Sequence, residues 1–342
     1  MPSREPKWWY GARRSWQATL LSPIAGLVGS IAAARLRRKT AYRSVLPVIC
    51  VGNFTAGGSG KTPLALLIAR LVAEQGREVW FLSRGYGGRA AGPVRVDPTV
   101  HGSADVGDEP LLLARHAPTM VSRDRRKGAE AIEAAASKNA VIIMDDGLQN
   151  PALAKDLVIA VVAGDRGFGN GRVIPAGPLR APISAQIGLA DIIVVTKGTG
   201  GTNPDLRKCL ASNSDAPIIA AETRAKGGVE HFRGRRLLAF AGIAHPERFF
   251  AMLESLGAVI VERCVFADHH AYTETEARHL LDVARSANAD LVTTEKDLAR
   301  LSGAVGACGD LREHSTPLAI ETVIGRADLA ILKEKICEAL AR

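Results

Sequence analysis

Aromatic side chains are scarce in this sequence, at 5% of its 342 residues, and it has no internal repeat and no low-complexity stretch. Because no repeat has the period of a solenoid, we expect globular domains, for which the 47% apolar content supplies a substantial core. Single-stranded nucleic acids bind to aromatic side chains that stand among basic ones, and no such stripe occurs beyond the N-terminus. Nucleic acid is therefore the least favoured partner.

Acidic residues are also too few to balance the basic ones, since 35 Asp and Glu face 44 Lys and Arg and leave a net charge of +9. Such a charge favours an anionic partner, either a membrane surface or a phosphorylated substrate. Composition alone does not choose between these two.

Closely spaced cysteines are missing as well. The five cysteines are far apart, and no two have the C-x-x-C spacing. This pattern fits a reducing compartment, and we assign them no metal-binding or nucleophilic role because isolated cysteines are usually small buried side chains. They are Cys50, Cys209, Cys264, Cys308 and Cys337.

Charge is absent from Trp16 to Ala34, a stretch with basic residues on both sides. A secretory signal is disfavoured because a nucleotide-binding pattern begins about a dozen residues later. A spanning helix has enough length but is weakened by Pro23, glycines and serines. We favour a helix in the inner face of a membrane, with a buried core helix as the alternative. The flanking basic residues are Arg13, Arg14, Arg35, Arg37, Arg38, Lys39 and Arg43.

Alternating apolar runs and helical stretches predict an α/β fold. The apolar run at 45–53 precedes a glycine-rich loop and a helix that ends at Gly76, which is the order strand, loop, helix. Further near-continuous apolar runs predict a mostly parallel sheet with helices on both faces, as in P-loop NTPases. These runs are EVWFLS, TMVS, AVIIMDD, LVIAVVAG and DIIVVTK.

A glycine-rich polar loop near residue 200 predicts a domain boundary. We therefore expect three parts: an N-terminal membrane-associated helix at 1–44, a nucleotide-binding core at 45–200 and a smaller C-terminal α/β unit at 201–342.

The stretch TAGGSGKT matches the phosphate-binding pattern G-x-x-x-x-G-K-[ST] except at its first position, which is threonine. In such a loop, backbone N–H groups and a helix N-terminus form a cradle for anions. Lys61 would add a positive charge, and the hydroxyl of Thr62 would bind Mg²⁺. We predict that the whole loop binds the nucleotide: Thr55, Ala56, Gly57, Gly58, Ser59, Gly60, Lys61 and Thr62.

Two carboxylates, Asp145 and Asp146, end the predicted buried strand AVIIMDD. An acidic residue at the end of a strand in the same sheet can hold Mg²⁺ or its water. Both residues qualify, and the sequence does not separate their roles.

Two other polar stretches are ambiguous when taken alone. Asp108, in VGDEP, lies at a predicted strand-to-helix transition, where it could be only an N-cap. The stretch FADHHAYT at 266–273 is typical of a polar turn, and metal binding by its histidines lacks a third ligand at a fixed spacing.

Taken together and in this order, the polar stretches resemble the tetraacyldisaccharide 4'-kinase family, the membrane-associated kinases of lipid A biosynthesis. GGSGKT is generic, but its combination with DDGLQ, PAGPLR and TTEKD is specific. The matching segments, which extend from about residue 51 to 297, are VGNFTAGGSGKTP, LSRGYGG, VGDEP, SRDRRKGA, IIMDDGLQ, GNGRVIPAGPLRAP, FAGIAHPERFF, DHHAY and TTEKD.

The resemblance implies that ATP and Mg²⁺ are used to phosphorylate the 4'-hydroxyl of a tetraacylated glucosamine disaccharide 1-phosphate. It implies a peripheral or monotopic enzyme at the cytoplasmic face of the inner membrane, and a loop that lacks the first glycine. Carried over by position, Lys61 is catalytic, Asp108 is the proton acceptor and His269 is its partner. The substrate-binding candidates are Glu109, Arg123 and Gln149.

The sequence departs from the family pattern at three positions. Leu148 and Asn150 stand where members commonly read D-D-G-F-Q-H, and Ala181 replaces a usual acidic residue after PLR. Asn150 lacks a titratable group, which puts a family role for a histidine there in doubt.

A membrane-associated regulatory NTPase is the alternative function. Guanine-nucleotide switches carry N-K-x-D after a late strand, but residues 196–199 read TKGT. Partitioning ATPases carry a second lysine before the paired glycines, where this chain has Ala56. Both absences favour the kinase.

Overall fold

The structure, a computed structural model, describes residues 5–11, 15–38, 42–198 and 204–341. They form two compact units, and each unit combines separate stretches of the chain. The larger unit comprises Glu5–Arg84, Ser122–Thr223 and Thr322–Arg342, and the smaller one comprises Gly85–Val121 and Arg224–Glu321. The division predicted at residues 44 and 200 stays a prediction, and the loop at its second boundary includes residues outside the described ranges.

The strands are, in chain order, β1 Val48–Asn53, β2 Glu78–Ser83, β3 Val94–Arg95, β4 Thr119–Val121, β5 Ala140–Asp145, β6 Leu157–Ala163, β7 Ile192–Thr196, β8 Ile218–Ala225, β9 Arg236–Ala241, β10 Val259–Val265, β11 Asp290–Thr294, β12 Ser315–Leu318 and β13 Ile320–Ile324. The α-helices are α1 Trp16–Leu20, α2 Ser22–Leu36, α3 Lys61–Ala73, α4 Ser103–Val106, α5 Asp108–Ala114, α6 Arg125–Ala135, α7 Ile183–Gln186, α8 Pro204–Ala211, α9 Pro246–Ser255, α10 Glu274–Ser286, α11 Glu295–Arg300, α12 Gly306–His314 and α13 Arg326–Leu340. Short 3-10 helices cover Lys7–Trp9, Ile187–Leu189 and Val229–Phe232.

The core of the larger unit is a sheet in which the strands follow the order β13-β8-β7-β6-β1-β5-β2. The pairings of β1 with β5 and β6, of β2 with β5, and of β7 with β6 and β8 are parallel. Every residue of β1, β5, β6 and β7 is buried, as the near-continuous apolar runs require. The predicted parallel sheet is confirmed.

The register of this sheet places the phosphate loop and the acidic pair next to each other at the carboxyl ends of β1 and β5. Val51 in β1 lies opposite Asp145 in β5, and the N–H of Asp146 donates to the carbonyl of Val51 at 2.9 Å. Because the two strands are parallel neighbours, the loops that follow them emerge side by side.

The uncharged N-terminal stretch is helical, as predicted, but it forms two helices. Helix α1 ends before Leu21, and α2 begins at Ser22 with Pro23 in its first turn, where a missing N–H costs no hydrogen bond. In the described ranges we find no helix whose length and apolarity would let it cross a membrane. The flanking residues Arg13, Arg14 and Lys39 lie outside these ranges.

The smaller unit contains a parallel sheet in the order β10-β9-β11-β12 and an antiparallel pair of β3 with β4. The chain passes from β9 to β10 on one side and then crosses to β11 on the other side of β9. The carboxyl ends of β9 and β11 therefore mark a topological switch point, where α/β sheets commonly bind ligands. The smaller unit is thus α/β, whereas the predicted bounds of 201–342 stay a prediction.

Candidate active site

The phosphate loop connects β1 to α3, and its last glycine has a backbone conformation that side chains disfavour. Gly60 has φ of 88° and precedes Lys61, the first residue of α3. The N-cap residue of this helix is Gly60 itself, which has no side chain to cap it, and the N–H groups of a first helical turn attract anions. The geometry therefore suits phosphate.

The threonine at the first position of the loop has a local explanation. Thr55 forms an antiparallel bridge with Leu179, and its carbonyl accepts from Nε of Arg180 at 3.1 Å. Its φ is not positive, and a β-branched residue suits an extended conformation. The segment around Leu179 therefore takes part in shaping the loop, and no glycine is required at position 55.

Polar side chains at the carboxyl ends of β1 and β7 also hold the phosphate loop in place. Nδ2 of Asn53 donates to the carbonyl of Gly57 at 3.3 Å and to the hydroxyl of Ser59 at 3.1 Å. The hydroxyl of Thr196 donates to the carbonyl of Ser59 at 3.4 Å. These contacts hold the cradle in shape before any ligand binds.

The two adjacent aspartates have different surroundings. Asp146 accepts two hydrogen bonds from Nη1 of Arg180, at 2.8 and 2.9 Å, and lies 3.7 Å from Nζ of Lys61. Burial raises the pKa of Asp146, but the charges of Lys61 and Arg180 outweigh it and lower the pKa to about 2. Asp146 is therefore a carboxylate at neutral pH.

Asp145 is 1% exposed and is part of β5, and its carbonyl accepts from Nη2 of Arg125 at 3.3 Å. Burial lowers the pKa of Arg125 to about 10, although the charge of Asp145 acts in the opposite direction. Arg125 therefore remains charged at neutral pH. The two carboxylates therefore have different neighbours: Asp146 lies near Lys61, whereas Asp145 lies near Arg125.

The chemistry of the predicted metal ligands fits Mg²⁺. The hydroxyl of Thr62 and the carboxylates of Asp145 and Asp146 supply the hard oxygen donors that this ion prefers. The described residues contain no group of three or more acidic, histidine or cysteine side chains that could hold a metal alone. An ion here would therefore share its ligands with phosphate and water, and the metal assignment stays a prediction.

Asp108 and His269, which are far apart in sequence, meet in the smaller unit. Nδ1 of His269 lies 3.0 Å from Oδ2 and 3.2 Å from Oδ1 of Asp108. Asp108 is not an N-cap residue but the first residue of α5, and its Oδ1 accepts the N–H of Glu109 at 2.9 Å. The structure thus supplies the contact on which the predicted role of the pair depends, while that role stays a prediction.

A third residue, Arg300, completes this cluster. Its Nε donates to Oδ2 of Asp108 at 2.8 Å, and the Asp108 side chain is only 4% exposed. Burial raises the pKa of Asp108, but His269 and Arg300 lower it below the usual range. The pKa of His269 is raised, since the bond to Asp108 outweighs the opposing effect of burial.

Gly107, just before Asp108, sets the direction in which α5 begins. Its φ is 90°, and a Cβ there would lie 2.5 Å from the carbonyl oxygen of Tyr86. We expect Gly107→Ala to lower the free energy of unfolding by about 1–3 kcal/mol and to reduce turnover, because the added methyl displaces Asp108. Urea denaturation measures the first effect, with Gly188→Ala, where a Cβ meets nothing within 4 Å, as the control. Equal stability of the two variants would contradict this account.

The other predicted residues have diverse positions. Oε1 of Glu109 lies 2.5 Å from Nζ of Lys296, and Nε2 of Gln149 donates to the carbonyl of Asn53 at 2.8 Å. Arg123 is exposed between β4 and α6. Gln149 thus contacts the strand below the phosphate loop and Glu109 adjoins Asp108, whereas substrate binding by all three stays a prediction.

Asn150, one of the departures from the family pattern, takes part in a turn. Oδ1 of Asn150 accepts the N–H of Ala152 at 2.8 Å, and its carbonyl accepts from Nζ of Lys155 at 2.5 Å. Asn150 therefore stabilises the turn after the acidic pair. Ala181 is fully buried, and its carbonyl accepts from Gln186 at 2.8 Å.

Sequence reasoning assigned no role to Arg180 or Arg300, the two arginines that fix the predicted carboxylates. Arg180 lies within the PAGPLR stretch, so its motif was visible although its partner was not. Arg300 follows TTEKD and pairs with Asp297 three residues earlier, a spacing that places both on one face of a helix. Its second partner, Asp108, could not be read from spacing.

Comparison with known proteins places these features in context. The model of the tetraacyldisaccharide-1-P 4'-kinase family matches residues 17–339. A tetraacyldisaccharide 4'-kinase of Methylobacterium radiotolerans is 50% identical over 89% of this chain and 91% of its own length. One from Methylobacterium nodulans is 47% identical over 97% and 95%, respectively. The structure of LpxK from Aquifex aeolicus in complex with ATP superposes with a TM-score of 0.71 at 25% identity, and the match covers 94% of this chain and 99% of that one.

Proposed function

This chain belongs to the tetraacyldisaccharide-1-P 4'-kinase family, and we propose that it transfers the γ-phosphate of ATP to the 4'-hydroxyl of a tetraacylated glucosamine disaccharide 1-phosphate. The observation that carries the proposal is the presence, in a member of this family, of a phosphate loop before α3 together with a buried carboxylate that contacts a histidine. Phosphoryl transfer to an alcohol needs both an anion cradle and a group that receives the hydroxyl proton.

In the proposed reaction, a bond forms between O4' of the sugar and the γ-phosphorus while the bond from that phosphorus to the β-phosphate oxygen breaks. ATP supplies the phosphoryl group, and Mg²⁺, when bound, would supply positive charge that offsets the negative charge of the phosphate oxygens. The N–H groups of the loop hold the phosphates, and Lys61 neutralises the charge that develops during transfer. Asp146 and Arg180 hold Lys61 and the loop in position.

The proton of the 4'-hydroxyl passes to the Asp108–His269 pair. Arg300 makes Asp108 less basic, whereas Asp108 makes His269 more basic, so the two groups titrate together and the proton belongs to the pair. Membership of a kinase family gives no support to the alternative of a regulatory NTPase, which needs no such proton acceptor.

Two matched acceptors test the proposal. Purified protein is incubated with γ-labelled ATP and either the acylated disaccharide 1-phosphate or its 4'-deoxy analogue. The proposal expects label in the first lipid and none in the second. Equal labelling of both lipids would assign the transfer to another hydroxyl and contradict it.

We propose in addition that α1 and α2 bind the cytoplasmic surface of the inner membrane, where the acylated acceptor resides. Large apolar side chains on these helices are exposed at helical spacing, and the basic residues Arg35 and Arg38 are exposed at the end of α2. An apolar stripe beside basic residues suits an anionic bilayer surface. The exposed apolar residues are Trp16, Leu20, Ile24, Leu27, Val28 and Ile31.

Replacement of Leu20, Ile24, Leu27 and Ile31 with serine should weaken binding to vesicles of phosphatidylethanolamine and phosphatidylglycerol by roughly tenfold or more, since apolar area no longer enters the bilayer. The KM for the lipid should rise more than the KM for ATP. Vesicle flotation and steady-state kinetics measure these effects. The double variant Val100→Ser and Val305→Ser, at exposed positions elsewhere, is the control. Unchanged flotation of the stripe variant would refute membrane binding by this surface.

A further inference from the structure

Arg300 lies between two buried carboxylates. On one side its Nε and Nη2 contact Oδ2 of Asp108 at 2.8 and 2.6 Å, and on the other its Nη1 lies 2.6 Å from Oδ1 of Asp297. The exposed fractions are 4% for Asp108 and Arg300 and zero for Asp297. One guanidinium is thus shared by two carboxylates inside the protein.

The positions of Arg300 and Asp297 are fixed by further hydrogen bonds. Nη1 of Arg300 donates to the carbonyl of Gly242 at 2.5 Å. Asp297 accepts from the hydroxyl of Tyr272 at 2.8 Å, from the N–H of Gly242 at 3.0 Å and from the hydroxyl of Thr294 at 2.6 Å. Neither charge can move away without breaking several bonds, so each acts on its neighbours at a constant distance.

The buried cluster has an excess of one negative charge when His269 is neutral. Asp108 and Asp297 contribute two negative charges and Arg300 one positive charge, so a proton on His269 brings the sum to zero. Lys296 and Glu109 lie 2.5 Å apart and offset each other. Tyr272 stays neutral because burial raises its pKa well above the usual value, and the ring of Tyr86 packs edge-on against the imidazole of His269.

Among the residues that the structure describes, Asp268 also faces the imidazole. Oδ2 of Asp268 lies 3.8 Å from Nε2 of His269, on the side opposite Asp108, and it also favours the protonated ring. Asp268 is partly exposed, so water screens its effect more than that of the buried carboxylates.

We propose that Arg300 and Asp297 are positioning residues that set the proton affinity of the Asp108–His269 pair. Arg300 alone would neutralise Asp108 and leave His269 with little attraction for a proton. Asp297 takes up part of the charge of Arg300, which restores the negative potential at the imidazole. The role in catalysis rests on the proposed function, in which the pair receives the proton of the acceptor hydroxyl.

The test is an NMR titration of the ring of His269 in the full-length protein, with the resonance assigned by its loss in His269→Asn. In the wild type, the titration midpoint should lie above 6.5. Arg300→Met should raise it and Asp297→Asn should lower it, each by about one pH unit. Arg300→Lys, which keeps the charge, should titrate close to the wild type. Asp282→Asn, on the exposed face of α10, is the matched control and should change nothing.

The acidic limb of kcat/KM should move in the same directions. The pair must be deprotonated to receive a proton, so activity falls as pH drops through its apparent pKa. When the pair is more basic, this fall begins at a higher pH. A structural role alone would lower activity without moving this limb.

The proposal is overturned if the wild-type midpoint lies below 6.5, if Arg300→Met and Asp297→Asn shift it in the same direction, or if Arg300→Lys and Arg300→Met titrate alike. Should Asp297→Asn fail to fold, the wild-type midpoint and the two arginine variants still decide. Shifted titrations with an unchanged pH profile of kcat/KM would support the tuning but refute the proposed role of the pair in catalysis.

Discussion

Lys61→Ala is expected to remove nearly all phosphotransfer and to leave the fold intact. The ammonium group lies near Asp146, which follows the carboxyl end of β5, and the side chains that α3 contributes to the apolar core come from other residues. Loss of one preorganised charge at a reacting phosphate costs about 10²–10³ in turnover, and this lysine is the positively charged member of the loop. Turnover with saturating ATP and lipid measures the effect, and thermal unfolding checks the fold.

Lys127→Ala, at an exposed position in the first turn of α6, is the matched control and should retain wild-type turnover. A folded Lys61→Ala protein with more than a tenth of wild-type turnover would remove the phosphate loop from the account.

Asp108→Ala and His269→Ala are each expected to lower turnover by about 10²–10⁴, because loss of a general base has this effect. The affinity for ATP should hardly change, since the loop and Lys61 are untouched. The two residues act as one proton-accepting unit, so the double variant should be hardly slower than the slower single variant. Turnover of the three variants, with ATP affinity from isothermal titration, measures this.

His270→Ala is the matched control for this series. Its ring lies 2.9 Å from Glu276 rather than Asp108, so its turnover should stay close to that of the wild type. If the losses of the single variants multiply in the double variant, the two residues have independent roles. Near-normal turnover of Asp108→Ala would reduce that residue to a structural role at the start of α5.

Most elements of the fold follow from local patterns. The run AVIIMDD forms β5, because a strand that is buried on both faces is apolar throughout. The run TPLALLIARLVAEQG forms most of α3, because a helix that is buried on one face repeats its apolar residues with the helical period. The single helix predicted over 16–34 is two helices because Pro23 favours the first turn of a new helix. In DLVTTEKD the strand ends at Thr294, and EKD begins α11. The short apolar run did not indicate where the strand ends and the helix begins.

The sequence indicated candidate site residues where a backbone pattern is typical of the chemistry, as in the phosphate loop and the carboxylates at the end of β5, and their roles stay predictions. The contacts of Arg180 with Asp146 and of Arg300 with Asp108 were not predictable. Arg300 and Asp108 are 192 residues apart, and the sequence contains many arginines that could have been the partner. Only the folded chain selects among such long-range pairs.

The central claim is that the phosphate loop and the buried pair together transfer phosphate to a lipid sugar. It is tested most directly by the fate of labelled γ-phosphate in the purified protein supplied with ATP, Mg²⁺ and the acylated disaccharide 1-phosphate. The account predicts that label enters the lipid and that Asp108→Ala and Lys61→Ala each slow its entry by about a hundredfold or more. Label released only as inorganic phosphate, with none in the lipid, would contradict the account.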